Sequence, residues 1–193
     1  MKNARFNLFA LLALLFILPL SGCAGFLVAG AAATVNIATD PRSTTEQWQD
    51  KNLELEITGL SNKPPFRSQM RITASSFRGT VVLIGQSQTN ELLEQFIGQI
   101  EQLKGVNHLH NQVKIQAPLT VGQVSNDSWL TTKVKSALLA KSELRGVKVS
   151  VITENREVFL LGYVTQEHAE IATDVARHVS GVKQVIKAFE YAD

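Results

Sequence analysis

Thr80-Val81-Val82-Leu83-Ile84-Gly85-Gln86, TVVLIGQ, returns 77 residues later as Glu157-Val158-Phe159-Leu160-Leu161-Gly162-Tyr163, EVFLLGY. Each is a run of β-branched and apolar residues closed by a glycine. The same offset pairs Ile72 with Val149 and Ile57 with Val134. After one deletion, Gly105-Val106 pairs with Gly181-Val182, Leu109 with Val185 and Val113 with Phe189. A match held over so many positions marks an internal duplication. The copies span about 48–116 and 126–191, with 117–123, APLTVGQ, expected as the linker.

Each copy reads as helix, strand, strand, helix, strand. In the second copy, residues 147–153 and 157–163 are β-rich runs separated by Glu154-Asn155-Arg156, a hairpin signal. Ser76-Phe77-Arg78-Gly79 holds that place in the first copy. Thr165 opens a helix with Ala169, Ala172, Val175, Ala176 and Val179 on one face and Gly181 as its stop. Residues 185–191 alternate as a last strand. LELEI, residues 53–57, also alternates like a strand. Aligned on the repeat, however, Leu53, Ile57 and Leu60 fall opposite Leu130, Val134 and Ala137 at helical spacing, so residues 48–61 are expected to be helical. The expected fold class is α+β. Each unit is αββαβ, with a small three-stranded mixed sheet burying one face under two helices.

The N-terminus bears on the compartment. Lys2 and Arg5 precede an apolar run over 8–20, and Leu20-Ser21-Gly22-Cys23 follows. The run is short for a membrane span and ends in a processing signal, so 1–22 reads as a signal peptide. LSGC resembles the bacterial lipobox, which implies a diacylglycerol on the Cys23 sulfur. The alternative is an ordinary signal peptide that ends near a cysteine. Cys23 is the only cysteine, so no disulfide forms within the chain. Ala24, rather than an aspartate, follows it, and by the same resemblance the destination is the outer membrane, facing the periplasm. Residues 23–45 form a lipidated tether or a short membrane-lying helix. The units then occupy 46–117 and 118–193.

Removal of 1–22 takes Lys2 and Arg5 from 19 basic side chains and leaves 17, against 17 acidic ones. Bulk charge therefore gives no argument for nucleic acid. His108 and His110 can share a strand face, but two ligands fall short of a zinc site. His168 and His178 cannot converge on one helix. Gly85-Gln86-Ser87-Gln88-Thr89 misses the nucleophile-elbow pattern, and the chain has no glycine-rich phosphate loop. No catalytic group, metal, cofactor or small-molecule substrate is proposed by the sequence.

Asn126-Asp127-Ser128-Trp129 reads as a polar cap opening a helix. On a wheel of 100° per residue, Leu130, Val134, Ala137 and Leu138 form the core arc. Trp129, Thr132, Ser136 and Leu139 point away from it, flanked by Lys133 and Lys135. From 129 to 148 five basic side chains face Glu143 alone, net +4, whereas Asp50, Lys51, Glu54 and Glu56 give the first-copy helix net −2. An apolar pair rimmed by lysines suits a lipid interface. Interdomain packing of Trp129 or a plain solvated face are the alternatives.

The VxLxG junctions, the Gly-Val before the last strand and the αββαβ order resemble the BON domain. With the lipobox, ATDPRS (38–43), SNDSWLTTKV (125–134) and VFLLGYVT (158–165), the chain resembles the dual-BON outer-membrane lipoproteins of Gram-negative bacteria. The resemblance implies no catalysis. It implies binding of anionic phospholipid through the first helix of the second domain, at Trp129, Thr132, Lys133, Lys135, Ser136 and Leu139. It further implies enrichment at the division site and support of outer-membrane integrity. The other reading is an adaptor whose units dock envelope proteins of outer-membrane assembly or cell-wall regulation.

Overall fold

Ser43 and Glu46 start the first helix by capping each other. The Ser43 hydroxyl accepts from the Glu46 amide at 3.2 Å, and the Glu46 carboxylate accepts from the Ser43 amide at 2.6 Å. Helix α1 runs Thr44–Ser61 and buries Leu53 and Ile57. LELEI is therefore helical, as the repeat requires, and Leu55 faces outward. The computed structural model describes residues 40–192; the expected signal peptide, Cys23 and residues 24–39 lie outside them.

Strands β1 (Met70–Phe77) and β2 (Thr80–Ser87) form an antiparallel hairpin, turned by Arg78 and Gly79 at φ 48° and 76°. Helix α2 (Asn90–Ile100) follows the Thr89 cap and returns the chain to β3 (His108–Ile115), parallel to β2. The second unit repeats this with α3 (Val121–Ala140), a 3₁₀ turn (Ser142–Leu144), β4 (Ser150–Glu154), β5 (Glu157–Val164), α4 (Gln166–Arg177) and β6 (Gln184–Tyr191). The sheets have orders β1-β2-β3 and β4-β5-β6, and each is mixed. This is the expected α+β architecture.

Gly85 and Gly162 end the VxLxG runs for a steric reason. At φ 146° and 145°, a side chain on either would strike a backbone carbonyl, that of Arg71 in β1 for Gly85 and that of Lys148, two residues before β4, for Gly162.

Three apolar clusters hold the layers. Leu53, Ile57, Phe96, Ile100, Val81 and Leu83 join the first helices to their sheet. Leu130, Val134, Leu138, Val158, Leu160, Ala172 and Ala176 do so in the second unit. Val82 and Ile84 point the other way and meet Phe159, Leu161, Ile186 and Ala188. The two sheets therefore stack face to face and the helices lie on opposite outer faces, an α/β/β/α sandwich. Each sheet buries one face under its helices, as expected, and β2 and β5 bury their other face as well, against each other's sheet. The physical sign is the unbroken apolar run in VVLI and VFLL, where a half-exposed strand would alternate.

Buried carboxylates also cross between the units. Glu154 accepts from Arg71 Nε at 3.1 Å and Gln86 Nε2 at 2.9 Å. Glu157 accepts from Lys114 of the first unit at 2.6 Å and Lys183 of the second at 3.2 Å. Burial works against the Glu157 charge, but the two lysines outweigh it and hold the carboxyl below the usual range. Phe77 stacks on Tyr163 with ring centres 6.1 Å apart. Arg42 lies over Phe77 at 4.4 Å while bonding Asp40 and Asp50, so residues 40–42 pack on the folded unit.

Two local expectations are revised. Residues 121–123 are helix rather than linker, and β4 begins at Ser150 rather than 147. Lys148 and Ser150 flank the turnless approach to the hairpin, and only Ser150–Glu154 reaches the β5 register.

Candidate functional site

Helix α3 begins five residues before the expected polar cap. Thr120 is its N-cap: its hydroxyl and the Gln123 side chain form a reciprocal box, in place of the polar cap expected at Asn126-Asp127-Ser128. A strong T-x-x-Q cap thus overrides the later polar cluster. Asp127 then faces inward. It accepts from the amides of Asn155 at 2.7 Å and Arg156 at 2.9 Å, the two left-handed residues of the β4–β5 turn. The residue read as a helix cap is a hairpin latch.

Below that latch the helix divides cleanly. Leu130, Val134 and Leu138 are buried, and Ala137 is half-buried. Trp129 is 65% exposed and Leu139 84% exposed. Trp129 is therefore not an interdomain contact. Thr132 and Ser136 share the outward arc and are exposed, and Lys135 is exposed beside them. The Thr132 hydroxyl donates to the Ser128 carbonyl at 3.1 Å, and Ser128 donates to Val124 at 2.9 Å. Those hydroxyls are satisfied within the helix, which lowers the penalty for taking that face out of water. Lys133 differs from the other five: it is half-buried and donates to the Ser180 carbonyl at 2.6 Å. The structure thus places five of the six together on open surface and ties back the sixth.

The local field is positive. Glu143 is the single acid among the basic residues of 129–148, and it pairs with Lys141 at 3.1 Å. Its carboxyl is pulled down to about 2 by the Ser142 hydroxyl, its own backbone amide and Lys141. Lys135, Arg145 and Lys148 form no ion pair among the described residues.

The histidines do not assemble a centre. His108 and His110 are exposed on β3, and His168 in the first turn of α4 is far from His178 at its C-cap. Among the described residues no group of three or more His, Cys, Asp or Glu is placed to hold a metal ion. No described helix is long and apolar enough to cross a membrane. Cys23 lies outside the described residues.

Sequence reading missed Trp48, which is 68% exposed on α1, and the role of Arg42. Trp48 had a signal available: on the wheel it falls opposite Ile57.

Comparison with known proteins places this geometry in a family. The BON domain model matches residues 49–117 and 126–193. Outer membrane lipoprotein DolP of Haemophilus influenzae is 39% identical over 175 residues, which cover 90% of this chain and 91% of that one. A 21 kDa hemolysin of Actinobacillus pleuropneumoniae is 40% identical over 153 residues, 79% of each chain. Osmotically-inducible protein Y of Escherichia coli is 41% identical over 66 residues, 34% of this chain and 33% of its own. The chain belongs to the BON domain family, with two such domains in tandem, and is a lipid-anchored lipoprotein of the outer membrane.

Proposed function

We propose that the protein binds anionic phospholipid through the outward face of α3, using Trp129, Thr132, Lys133, Lys135, Ser136 and Leu139. The observation that carries this is the paired exposure of Trp129 and Leu139 on a helix whose opposite face is fully packed. Burying an exposed Trp and Leu at a headgroup boundary is favourable by roughly 25 cal/mol per Å² of apolar area. Each nearby lysine or arginine adds on the order of 1 kcal/mol at an anionic surface. Lys133 contributes its charge from a fixed position, and Lys135 from a free one.

In this reading residues 1–22 are removed, Cys23 carries the acyl chains, and 23–45 leads from the anchor to domains at 46–117 and 118–193, with 40–45 already joined to the first domain. The anchor holds the chain to the membrane, and α3 selects anionic regions of the leaflet. Enrichment at the division site and support of outer-membrane integrity follow from that selection. The protein performs no catalysis.

The test is titration of non-lipidated protein with anionic and with zwitterionic micelles, read by amide shifts. The reading predicts shifts concentrated on α3 with the anionic micelles. Equal small shifts in both would refute it, as would cross-linking of an envelope protein at Trp129 independent of lipid, which the adaptor reading requires.

A further inference from the structure

A groove of about 590 Å³ runs between α1 and the turn that leads into β3. Its open wall carries Trp48, with Gln49, Asn52, Glu56 and Lys104 around it. Among the described residues, none of those four polar side chains makes a hydrogen bond or ion pair. The other charges of the groove are already matched. Glu46 lies 3.7 Å from Arg78, and Asp50 is turned to Arg42, Ser76, Arg78 and Gly79. Glu56 and Lys104 oppose each other in sign. The groove is therefore an aromatic platform ringed by uncommitted hydrogen-bonding groups, its three carboxylates balanced by Arg78, Lys104 and, from outside the groove, Arg42.

That chemistry discriminates between ligands. A phosphate or an acidic lipid needs net positive charge, and a basic peptide needs net negative charge. An apolar side chain from a partner protein would strip water from four polar groups and leave them unpaired. A sugar ring fits both requirements. Its C–H face lies flat on an indole, and its edge hydroxyls take the carboxamides, the carboxylate and the ammonium. An acetamido substituent adds an amide to pair with Gln49 or Asn52 and a methyl to extend the contact with Trp48.

The second unit supplies an internal control. Trp48 aligns with Ser125, Glu56 with Lys133 and Lys104 with Ser180. There Lys133 reaches across to the Ser180 carbonyl and bridges the corresponding groove. Among the described residues the Trp48 groove has no such bridge, since neither Glu56 nor Lys104 makes a hydrogen bond or ion pair.

We infer that the Trp48 groove binds a neutral N-acetylhexosamine glycan, the chemistry of the cell-wall strand. Its direction agrees, given the membrane contact proposed for α3. The helices occupy opposite outer layers of the sandwich, roughly 30 Å apart. With α3 on the membrane, α1 faces the opposite way, into the space that holds the wall.

The test uses the full-length lipidated chain in zwitterionic micelles with the N-acetylglucosamine tetramer as probe. A Trp129→Phe substitution leaves Trp48 as the only tryptophan of the two. The expected result is a saturable change in Trp48 emission with a Kd on the order of 1 mM. It weakens about fivefold or more in Asn52→Ala/Glu56→Ala, at exposed positions where truncation leaves the fold intact. Purified wall sacculi retain the parent chain and lose Trp48→Ala. No saturable change at about 10 mM tetramer, or equal retention of Trp48→Ala, overturns the inference. So does a Trp48 response to a protein partner with none to the sugar. A Trp129→Glu chain separates the two readings: it loses vesicle binding if α3 is the lipid face, and retains sugar binding if the Trp48 groove is the glycan site.

Discussion

Asp50 and Asp127, 77 positions apart in the repeat, close the hairpin of their own unit in the same way. Asp127 accepts from Asn155 and Arg156 at 2.7 and 2.9 Å; Asp50 accepts from Arg78 and Gly79 at 2.9 and 3.0 Å. Each ties the middle of the first helix to a turn whose residues hold positive φ. The latch therefore fixes how the helix lies on its sheet, and in the second unit it fixes which way Trp129 points.

Replacing Asp127 with alanine leaves two turn amides without their carboxylate, and the second unit loses about 1–3 kcal/mol. Urea denaturation followed by Trp129 emission measures it. Asp50→Ala has the larger effect, because Ser76 and Arg42 also bond that carboxylate.

Gly85→Ala and Gly162→Ala each force a side chain into a carbonyl of the neighbouring segment. The expected loss is on the order of 3 kcal/mol or more, with the affected unit unfolding first. Amide hydrogen exchange distinguishes this from uniform destabilisation. An exposed glycine with open space around it, Gly59, serves as the comparison, and Gly59→Ala is neutral or stabilising.

Acid weakens the Asp50 latch within the first unit and the Glu157 contact between units. Burial opposes the charges of Asp50 and Glu157, yet their hydrogen bonds prevail, and both carboxyls lie below their ordinary values of 3.8 and 4.5. A depressed folded value means that the stabilisation is present above those values and is lost as pH falls through the folded ones. The expected transition therefore lies below pH 4.5, and Lys114→Met shifts the Glu157 part of it upward. Carboxylate chemical shifts of Glu157 across that range provide the measurement.

Much of this was legible in the sequence. The repeat determined two tandem units, their order of elements and the helical reading of LELEI, because burial at matching positions outweighs local alternation. The outward direction of Trp129 and Leu139 followed from the wheel once Leu130, Val134 and Leu138 were assigned to the core. The start of α3 did not, because Asp127 serves a turn 28 residues away and looks locally like a cap. The stacking of the sheets was also hidden, since an apolar run shows that both faces are covered without showing by what. The tie of Lys133 to Ser180 was hidden too, because that carbonyl lies 47 residues along the chain.

The two lysines should therefore behave differently. Lys135→Ala weakens vesicle binding by on the order of 1 kcal/mol, about fivefold, at low salt. The effect shrinks as salt screens the surface. Lys133→Ala loses a similar charge and, in addition, the tie between α3 and the turn that follows α4, so it also lowers the melting temperature. Binding isotherms at two salt concentrations, with thermal melts, separate the contributions.

The most direct test of the central claim is flotation of non-lipidated Cys23→Ser protein, lacking residues 1–22, with anionic and with zwitterionic vesicles. The account predicts flotation with anionic vesicles for the parent, and its loss in Trp129→Glu and Leu139→Glu with amide exchange elsewhere unchanged. Undiminished flotation of a folded Trp129→Glu/Leu139→Glu protein would contradict it.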